Sequence, residues 1–293
     1  MRYASIDIGS NAVRMMIADI IESAAAVTYK KNTLIRVPLR LGDDAFIDKR
    51  LSERKADALI KAMEAFKHLM EIYKVNEYMA CATAAMREAA NGPEIIEKIK
   101  ERTGLELKII TGETEAGIIY SNHLDTKLDR NKNYLYIDVG GGSTELSVFT
   151  QGKMQASASF DIGTIRMLDN KDSEETWMEM KNFVRKSTKD LKNISGIGTG
   201  GNINKLFKLS EEKDGEPLSF SKLKSVYEHL KSYSLKDRIN VLGLNQDRAD
   251  VIIPASEIFL AVMKWGGIKQ IYVPRKGLVD GIISLLIEKN FKK

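Results

Sequence analysis

The sequence IDIGSN at residues 6–11 returns 131 residues later as IDVGGG at residues 137–142. In both copies, apolar and β-branched residues stand before and after a short turn that contains glycine. This pattern is typical of two strands joined by a tight turn. Each copy opens about one half of the chain, so the repeat predicts a duplicated structure in which both parts begin with the same hairpin.

The rest of the chain fits a two-part organisation. A polar stretch at residues 123–133 separates the parts, and we expect one lobe over residues 1–123 and a second over residues 124–293. Short apolar runs typical of strands alternate with stretches of helical periodicity, which indicates an α/β protein. One helix is expected over Asp247–Met263, and Pro254 within it predicts a kink or a break.

The composition excludes several classes of protein. Hydrophobic residues make up 43% of the chain and charged residues 29%, and no apolar run approaches the roughly 20 residues that a membrane span needs. A single cysteine, Cys81, excludes an intramolecular disulfide framework and a cysteine-rich zinc site, and three histidines argue against a multi-histidine metal site. The first residues carry no secretory signal, so we expect a cytoplasmic protein.

Positive charge is concentrated in the second part of the chain. Residues 1–123 hold 18 basic and 18 acidic residues, whereas residues 124–293 hold 27 and 22, so the whole net charge of +5 lies there. A helix expected over residues 173–192 carries five basic residues on one face: Lys181, Arg185, Lys186, Lys189 and Lys192. Such a face can contact an anionic partner or simply be solvated, and the pattern leaves both alternatives open.

The repeated hairpins have the residues of a phosphate-binding loop. Asp7 and Asp138 stand at strand ends, and a glycine two residues later lets backbone N–H groups approach a phosphate closely. Ser10, Asn11 and Ser143 add short hydrogen-bond donors. For either copy alone, a tight turn capped by its Asp is the alternative.

Three further features have both a chemical and a structural interpretation. The glycine loop at residues 196–201 precedes a helix, where N–H groups suit an anion, although it also fits a close strand–helix turn. Arg87, one turn into a helix, could bind a phosphate with its planar fork or form a surface ion pair. Glu113 and Glu115 open a helix, where the helix dipole favours acidic residues whatever their function.

Six segments of the chain resemble, in the same order, motifs of the exopolyphosphatase/guanosine pentaphosphate phosphohydrolase (Ppx/GppA) family. They are IDIGSNAVRMMI, CATAAMREAANG, ITGETEAGIIYSN, YLYIDVGGGSTELSVF, FDIGTIRML and GIGTGGNINKL. The resemblance is to a short form without the C-terminal histidine–aspartate type domain of longer relatives. It implies a two-lobed fold of the actin-like ATPase superfamily, with duplicated ribonuclease H-like cores and the site in the cleft between the lobes.

The resemblance also implies an assembly and an activity. The last helix, at about residues 278–289, is expected to pack back on the first lobe, and the protein is expected to be a homodimer. The implied reaction is Mg²⁺-dependent hydrolysis of the terminal phosphoanhydride of inorganic polyphosphate, or removal of the terminal phosphate from guanosine pentaphosphate. Neither a nucleic acid nor a membrane is an expected partner.

Individual roles follow position by position. The resemblance implies that Glu115 is the base that activates water and that Asp138 and Glu145 are the acids associated with the metal, to which we add Asp7 from its matching position. The residues expected to bind phosphate are Ser10, Asn11, Arg87, Gly140, Gly141, Gly142, Ser143, Gly200 and Gly201.

Two departures and two alternatives remain at this point. Ala84 stands where the family often has a hydroxyl, and GLVDG at residues 277–281 replaces a frequent Gly-Leu-Arg-Glu-Gly pattern, which leaves the role of that loop open. A sugar or acetate kinase of the same superfamily would share the hairpins but has no use for GETEA. An alarmone-binding regulator would keep the loops without turnover.

Overall fold

The computed structural model describes residues 1–23, 26–121, 129 and 131–291. It divides the chain into two compact units. Unit 1 comprises Met1–Leu124 together with Gly277–Lys293, and unit 2 comprises Asp125–Lys276. The boundary expected at residues 123 and 124 lies outside the described residues. Each unit is built on one mixed sheet with helices, which confirms the predicted α/β class.

Five strands form the sheet of unit 1: β1 (Arg2–Ile8), β2 (Val13–Glu22), β3 (Val27–Val37), β4 (Glu77–Ala82) and β5 (Leu107–Ile109). Their order is β3-β2-β1-β4-β5. The first three strands pair antiparallel, and β4 and β5 continue the sheet in parallel with β1. Strand β1 is central and buried along nearly its whole length, which explains its apolar sequence.

Helices α1–α5 of unit 1 follow this sheet along the chain: α1 (Gly42–Ala45), α2 (Glu53–Ile72), α3 (Ala84–Glu88), α4 (Gly92–Thr103) and α5 (Gly112–Ser121). The long helix α2 begins after Ser52, whose hydroxyl accepts a hydrogen bond from the Lys55 N–H as an N-cap. Helix α3 begins directly after strand β4, and α5 begins after β5. These short connections place the start of both helices at the carboxyl edge of the sheet.

Six strands form the sheet of unit 2: β6 (Tyr134–Val139), β7 (Thr144–Thr150), β8 (Lys153–Phe160), β9 (Ser195–Thr199), β10 (Leu218–Ser219) and β11 (Gln270–Tyr272). Their order is β10-β11-β9-β6-β7-β8. Strands β6, β7 and β8 pair antiparallel, and β9 and β11 run parallel to β6. Taken from β8, the order and directions match those of unit 1, and β10 is an addition at the edge. The predicted duplication is therefore confirmed.

Seven helices accompany the sheet of unit 2: α6 (Thr164–Leu168), α7 (Glu174–Thr188), α8 (Gly201–Leu209), α9 (Phe220–Lys231), α10 (Leu235–Asn240), α11 (Gln246–Ala249) and α12 (Ile252–Trp265). Helix α7 ends at Thr188, so the prediction that Lys192 lies on its basic face is wrong. The single helix expected over Asp247–Met263 is two helices. Pro254 falls in the first turn of α12, where its missing N–H costs no helical hydrogen bond, and the break precedes it.

The last helix, α13 (Leu278–Phe291), belongs to unit 1 and packs on α5 and β1. Apolar residues of α13 such as Ile282 and Leu286 share one buried cluster with Ile118 and Ile119 of α5. In unit 2, apolar residues of β6 and β7 pack with residues of α7, α8 and α12 in a separate cluster. Within the described residues, every helix is too short or too polar to cross a bilayer.

The GLVDG segment, whose role the sequence left open, anchors α13 within unit 1. Asp280 is buried and accepts hydrogen bonds from the Tyr29 hydroxyl at 2.9 Å and the Gly277 N–H at 3.0 Å. The Lys31 ammonium completes the arrangement with an ion pair at 2.7 Å. Directly after it, Gly281 lies against the backbone of α5, where a Cβ would stand only 2.2 Å from the Ile118 carbonyl oxygen. The segment thus fixes α13 to β3 and permits its close approach to α5.

Candidate functional site

The turn between β1 and β2 presents backbone N–H groups. The Gly9 N–H closes the turn on the Ala12 carbonyl at 3.2 Å, and the carbonyl oxygens of Ser10 and Asn11 accept from the N–H groups of Gly42 and Arg40, both at 2.9 Å. Within the described part of the chain, the N–H groups of Ser10 and Ala12 have no acceptor. The turn therefore has its carbonyls occupied and donors left over.

The turn between β6 and β7 has the same arrangement in unit 2. The Gly140 N–H closes it on the Ser143 carbonyl at 2.9 Å. The carbonyls of Gly140 and the residues at 141–142 are all taken, by N–H groups of residues 164–165 at 2.8–3.1 Å and by Nε of Arg166 at 2.5 Å. Among described residues, the N–H groups at positions 141–143 find no acceptor. Successive N–H groups of this kind form an anion-binding concavity.

Arg166 supports this loop without any role having been predicted for it. The residue lies in α6, is only 4% exposed, and forms an ion pair with Asp161 at 3.4 Å. Its guanidinium holds the Gly142 carbonyl away from the concavity, so that the N–H side of the loop remains available. The signal was the FDIGTIRML motif, which contributed to the resemblance but gave no role to this arginine.

The two hairpins differ at one cross-strand pair. Asp7 lies opposite Arg14, and their charges meet at 2.7 Å. Burial raises the pKa of Asp7 from its usual range, and Arg14 opposes that shift. In unit 2, Asp138 lies opposite Glu145 in the same register, and carboxylate oxygens of these two acids stand within 4.8 Å of each other. Two acids directly opposite repel each other unless a cation neutralises them.

Hydroxyl groups orient Glu145 within this pair. The hydroxyls of Ser143 and Ser159 donate to one oxygen of its carboxylate, at 2.6 Å and 3.0 Å. The side chain is buried, so these hydrogen bonds fix its direction on the same face of the hairpin as Asp138. Oxygen ligands held in this way suit a hard divalent cation such as Mg²⁺.

The third glycine loop lies beside Asp138. Gly200 caps α8 with a φ of +94°, and a Cβ at this position would stand 2.9 Å from a carboxylate oxygen of Asp138. Only glycine therefore fits at Gly200 on both counts. The Gly201 carbonyl accepts a hydrogen bond from Arg248, another residue for which no role was predicted. Nearby, Oγ1 of Thr199 is buried and has no partner among the described residues.

In unit 1, Arg87 joins the helix after β4 to the end of β5. Its Nη1 donates to the Ile110 carbonyl at 2.8 Å, and the Ile110 N–H in turn donates to the Ala82 carbonyl at 2.9 Å. The Thr83 N–H, at the start of α3, donates to the Ile8 carbonyl at 3.1 Å. These bonds tie Arg87 to the end of β1, where the phosphate-type turn begins.

Glu115 and Glu113 occupy different environments in α5. Glu115 is half-buried, whereas Glu113 is exposed. Glu115 also acts on Cys81, whose pKa rises to about 11 through burial first, and then through the negative charges of Asp7 and Glu115. Cys81 lies beside Asp7 in the parallel register of β1 and β4. Both carboxylates therefore lie near this thiol in unit 1.

The structure thus groups the predicted residues within each unit. In unit 2 it brings together Asp138, Glu145, the loop at residues 140–143 and the loop at Gly200, which combine paired acids with anion-binding N–H groups. In unit 1 the first turn, Arg87 and Glu115 gather at the carboxyl edge of the sheet. Asp7 forms an ion pair with Arg14, and the metal role expected for it stays a prediction.

Comparison with known proteins identifies relatives along almost the whole chain. Residues 33–290 match the model of the Ppx/GppA phosphatase family. A bifunctional 3-dehydroquinate synthase/phosphatase of Fusobacterium nucleatum is 29% identical over 97% of this chain, which spans 46% of that longer relative. A candidate exopolyphosphatase of Haemophilus influenzae is 24% identical over 99% of this chain and 92% of its own length.

A solved structure agrees with these relatives. The crystal structure of the Aquifex aeolicus member of the Ppx/GppA family superposes with a TM-score of 0.79, at 26% identity and over 99% of each chain. Sequence match and fold therefore lead to the same conclusion, and members of this family are phosphatases that hydrolyse phosphoanhydrides. The chain belongs to the Ppx/GppA phosphatase family.

Proposed function

We propose that this protein is an exopolyphosphatase, which hydrolyses the terminal phosphoanhydride bond of inorganic polyphosphate with the aid of a divalent cation. The observation that carries the proposal is the loop at residues 140–143, whose carbonyls are all occupied and whose N–H groups stand beside the paired acids Asp138 and Glu145. A terminal phosphoryl group with its cation satisfies both sets of groups at once. The name of the Haemophilus relative supports the choice of polyphosphate.

The paired acids of unit 2 fit a magnesium ion. Asp138 and Glu145 stand within 4.8 Å of each other on one face of the hairpin, and hydroxyl groups orient Glu145. We assign the metal to these two residues and leave out Asp7, because Arg14 already neutralises its charge. When bound, Mg²⁺ would offset the charge of the phosphoryl oxygens.

The loops of both units would supply donors for phosphate oxygens. Phosphoryl transfer depends mainly on positioning and on stabilisation of charge, which preorganised N–H groups provide. In unit 2 these are the N–H groups at residues 141–143, and in unit 1 those of Ser10 and Ala12. Arg87 would add its guanidinium, which is oriented by its bond to the Ile110 carbonyl.

Glu115 would act as the general base that takes a proton from the attacking water. Its carboxylate is half-buried in the first turn of α5, whereas Glu113 in the same turn is exposed. The alternative is that both acids only complement the helix dipole. That alternative predicts a small and similar effect for the two residues, whereas a general base predicts a large effect for one.

The experiment is a phosphate-release assay on the wild-type protein and on the Glu115→Gln and Glu113→Gln variants. Polyphosphate, guanosine pentaphosphate and ATP would each be supplied with Mg²⁺ and with excess EDTA. Removal of a general base lowers the rate on the order of 10²–10⁴-fold, so kcat should collapse for Glu115→Gln. Glu113→Gln is the matched control and should stay within a few-fold of wild type.

Other outcomes would contradict parts of the proposal. Near-normal kcat for Glu115→Gln would show that another group is the base. Preferred cleavage of guanosine pentaphosphate would reassign the substrate, and binding of that nucleotide without any turnover would indicate a regulator. Full activity in EDTA would refute the metal.

A further inference from the structure

A basic groove lies on unit 2 at the end of β9 that is opposite to the glycine loops. Its main cavity of about 760 Å³ lies beside the ends of α7 and α12, and an adjoining cavity of about 410 Å³ shares Asn193, Ser195 and Gln270 with it. Strand β9 runs from Ser195 at this groove to Thr199 at the third glycine loop. That separation is about 13 Å at the usual rise of a strand. The groove is therefore distinct from the loops of the candidate site.

The charge of the groove is one-sided. Arg185, Lys189 and Lys269 line the main cavity and Lys192 lines the adjoining one, and no carboxylate lines either cavity in the part of the chain that the structure describes. None of these four cations forms an ion pair with a described residue. Lys132, which lines the smaller cavity, has a distant partner in Asp129 at 4.0 Å. Four like charges are thus gathered without compensation.

The fold itself does not account for this charge. The C-terminal end of a helix carries about −0.5 of a charge, so the C-terminal ends of α7 and α12 contribute about −1 against four positive side chains and leave about +3. Arg185 lies in the last turn of α7, where the helix dipole favours a basic residue. Lys192 and Lys269 lie beyond both helices, at positions where no helix dipole favours a lysine.

We propose that this groove binds the distal part of a linear polyphosphate chain, away from the terminal phosphoryl group that is hydrolysed. The inference rests on the proposed function and deepens it. The two cavities share three lining residues and have basic residues in both linings, which suits a chain of phosphates better than a single phosphate. Trp265 is the aromatic residue of the lining, and its ring packs edge-to-face on Trp177 with centroids 5.9 Å apart. The groove thus has cations in excess over surfaces for stacking nucleic-acid bases.

A second binding segment has a kinetic signature. A chain held at the groove raises the local concentration of its own end at the loops, whereas a short substrate gains nothing from it. The KM for polyphosphate should therefore fall as the chain lengthens, and only the long-chain value should depend on the groove. Contacts between lysines and phosphates also weaken with salt, in proportion to their number.

The test uses the double variant Lys192→Gln/Lys269→Gln, because both side chains are exposed and lie outside helices and strands. The matched control is Lys222→Gln/Lys224→Gln, two exposed lysines of α9 that do not line the groove and whose loss changes the net charge equally. We expect the groove variant to raise the KM for long-chain polyphosphate by roughly 10- to 30-fold and to leave tripolyphosphate unaffected. The control should change neither value, and kcat should be unchanged in both.

Calorimetric titration with long-chain polyphosphate gives a readout that does not depend on turnover. The groove variant should bind it more weakly than wild type and the control variant should not. If both variants hydrolyse polyphosphate with the same long-chain KM and the same affinity, the groove does not bind polyphosphate, whereas the proposed function stands. Failure to hydrolyse polyphosphate, with weakened binding in the groove variant alone, would overturn the proposed function and keep the groove as a polyphosphate site. Equal binding of single-stranded RNA at the groove would overturn the choice of polyphosphate as its ligand.

Discussion

Replacement of Gly281 by alanine tests whether the contact between α13 and α5 holds Glu115 in place. The new Cβ would stand 2.2 Å from the carbonyl oxygen of Ile118 and 2.8 Å from its carbonyl carbon. Ordinary contact begins near 3.4 Å, so one of the two helices has to move by about 1.2 Å, the difference between these distances. Ile118 follows Glu115 by three residues, about one helical turn, so a shift of α5 also displaces that carboxylate.

The expected effects follow from this displacement. Overpacking of a buried contact costs about 1–3 kcal/mol of unfolding free energy. A misplacement of about 1 Å at a catalytic group lowers the rate on the order of 10²-fold. Gly281→Ala should therefore unfold at lower urea concentration and lose kcat for polyphosphate. Urea unfolding and the phosphate-release assay measure the two effects separately.

Gly117→Ala is the control from the same helix. Gly117 is exposed, and a Cβ there meets no atom within 4 Å, so alanine should add up to about 1 kcal/mol of stability and leave kcat unchanged. Wild-type stability and kcat in Gly281→Ala would show that the helices do not approach so closely. A loss of stability with kcat retained would show that α13 does not position Glu115.

Two further predictions concern titrating groups of unit 1. Burial first, and then the charges of Asp7 and Glu115, raise the pKa of Cys81 to about 11, so native protein at pH 8 should resist alkylation by iodoacetamide until urea unfolds it; rapid labelling of the native thiol would contradict this. Burial of Asp44 opposes its ionisation, but hydrogen bonds from Ser52 and Lys55 outweigh it and lower the pKa of this carboxyl. Because the lowered value belongs to the folded state, ionised Asp44 stabilises the protein above the ordinary Asp pKa of about 3.9, and this contribution disappears as the pH falls through the folded value. Asp44→Asn should cost about 1 kcal/mol at pH 7 and progressively less in acid, as measured by urea unfolding; an equal cost at pH 7 and pH 3 would disprove the assignment.

Much of the fold could be predicted because the two hairpins have a clear pattern in the sequence. The strands β1, β2, β6 and β7 are buried, and their apolar residues form runs between glycine-containing turns. The third strand of each sheet was not predicted. Strand β3 is half-exposed and polar in its middle, and β8 is largely exposed, so neither has an apolar pattern that separates it from a loop. Pairing with the neighbouring hairpin strand determines both.

The sequence predicted which types of residue form the candidate site, but not the hydrogen bonds that hold its loops in place. The glycine turns and acids are local features of the sequence, whereas Arg166 and Arg248 act on carbonyl groups that only the folded chain brings near them. The contrast between the hairpins was accessible, because Arg14 and Glu145 each follow the hairpin Asp by seven residues. A fixed turn therefore already places them in equivalent positions.

That contrast has a consequence for how the two halves respond to their surroundings. Arg14 supplies the counter-charge of Asp7 within the chain, so this acid does not need a cation from solution. In the second hairpin Glu145 stands in the register position that Arg14 has in the first, so Asp138 faces a second acid, and under the proposed function a divalent cation from solution would bind to this pair. Any cation that binds there stabilises the folded state in proportion to the logarithm of its concentration. Duplication has given one chain two versions of a single hairpin, and under the proposed function the stability of the second would depend on the concentration of a cation, whereas the acid of the first has its counter-charge within the chain.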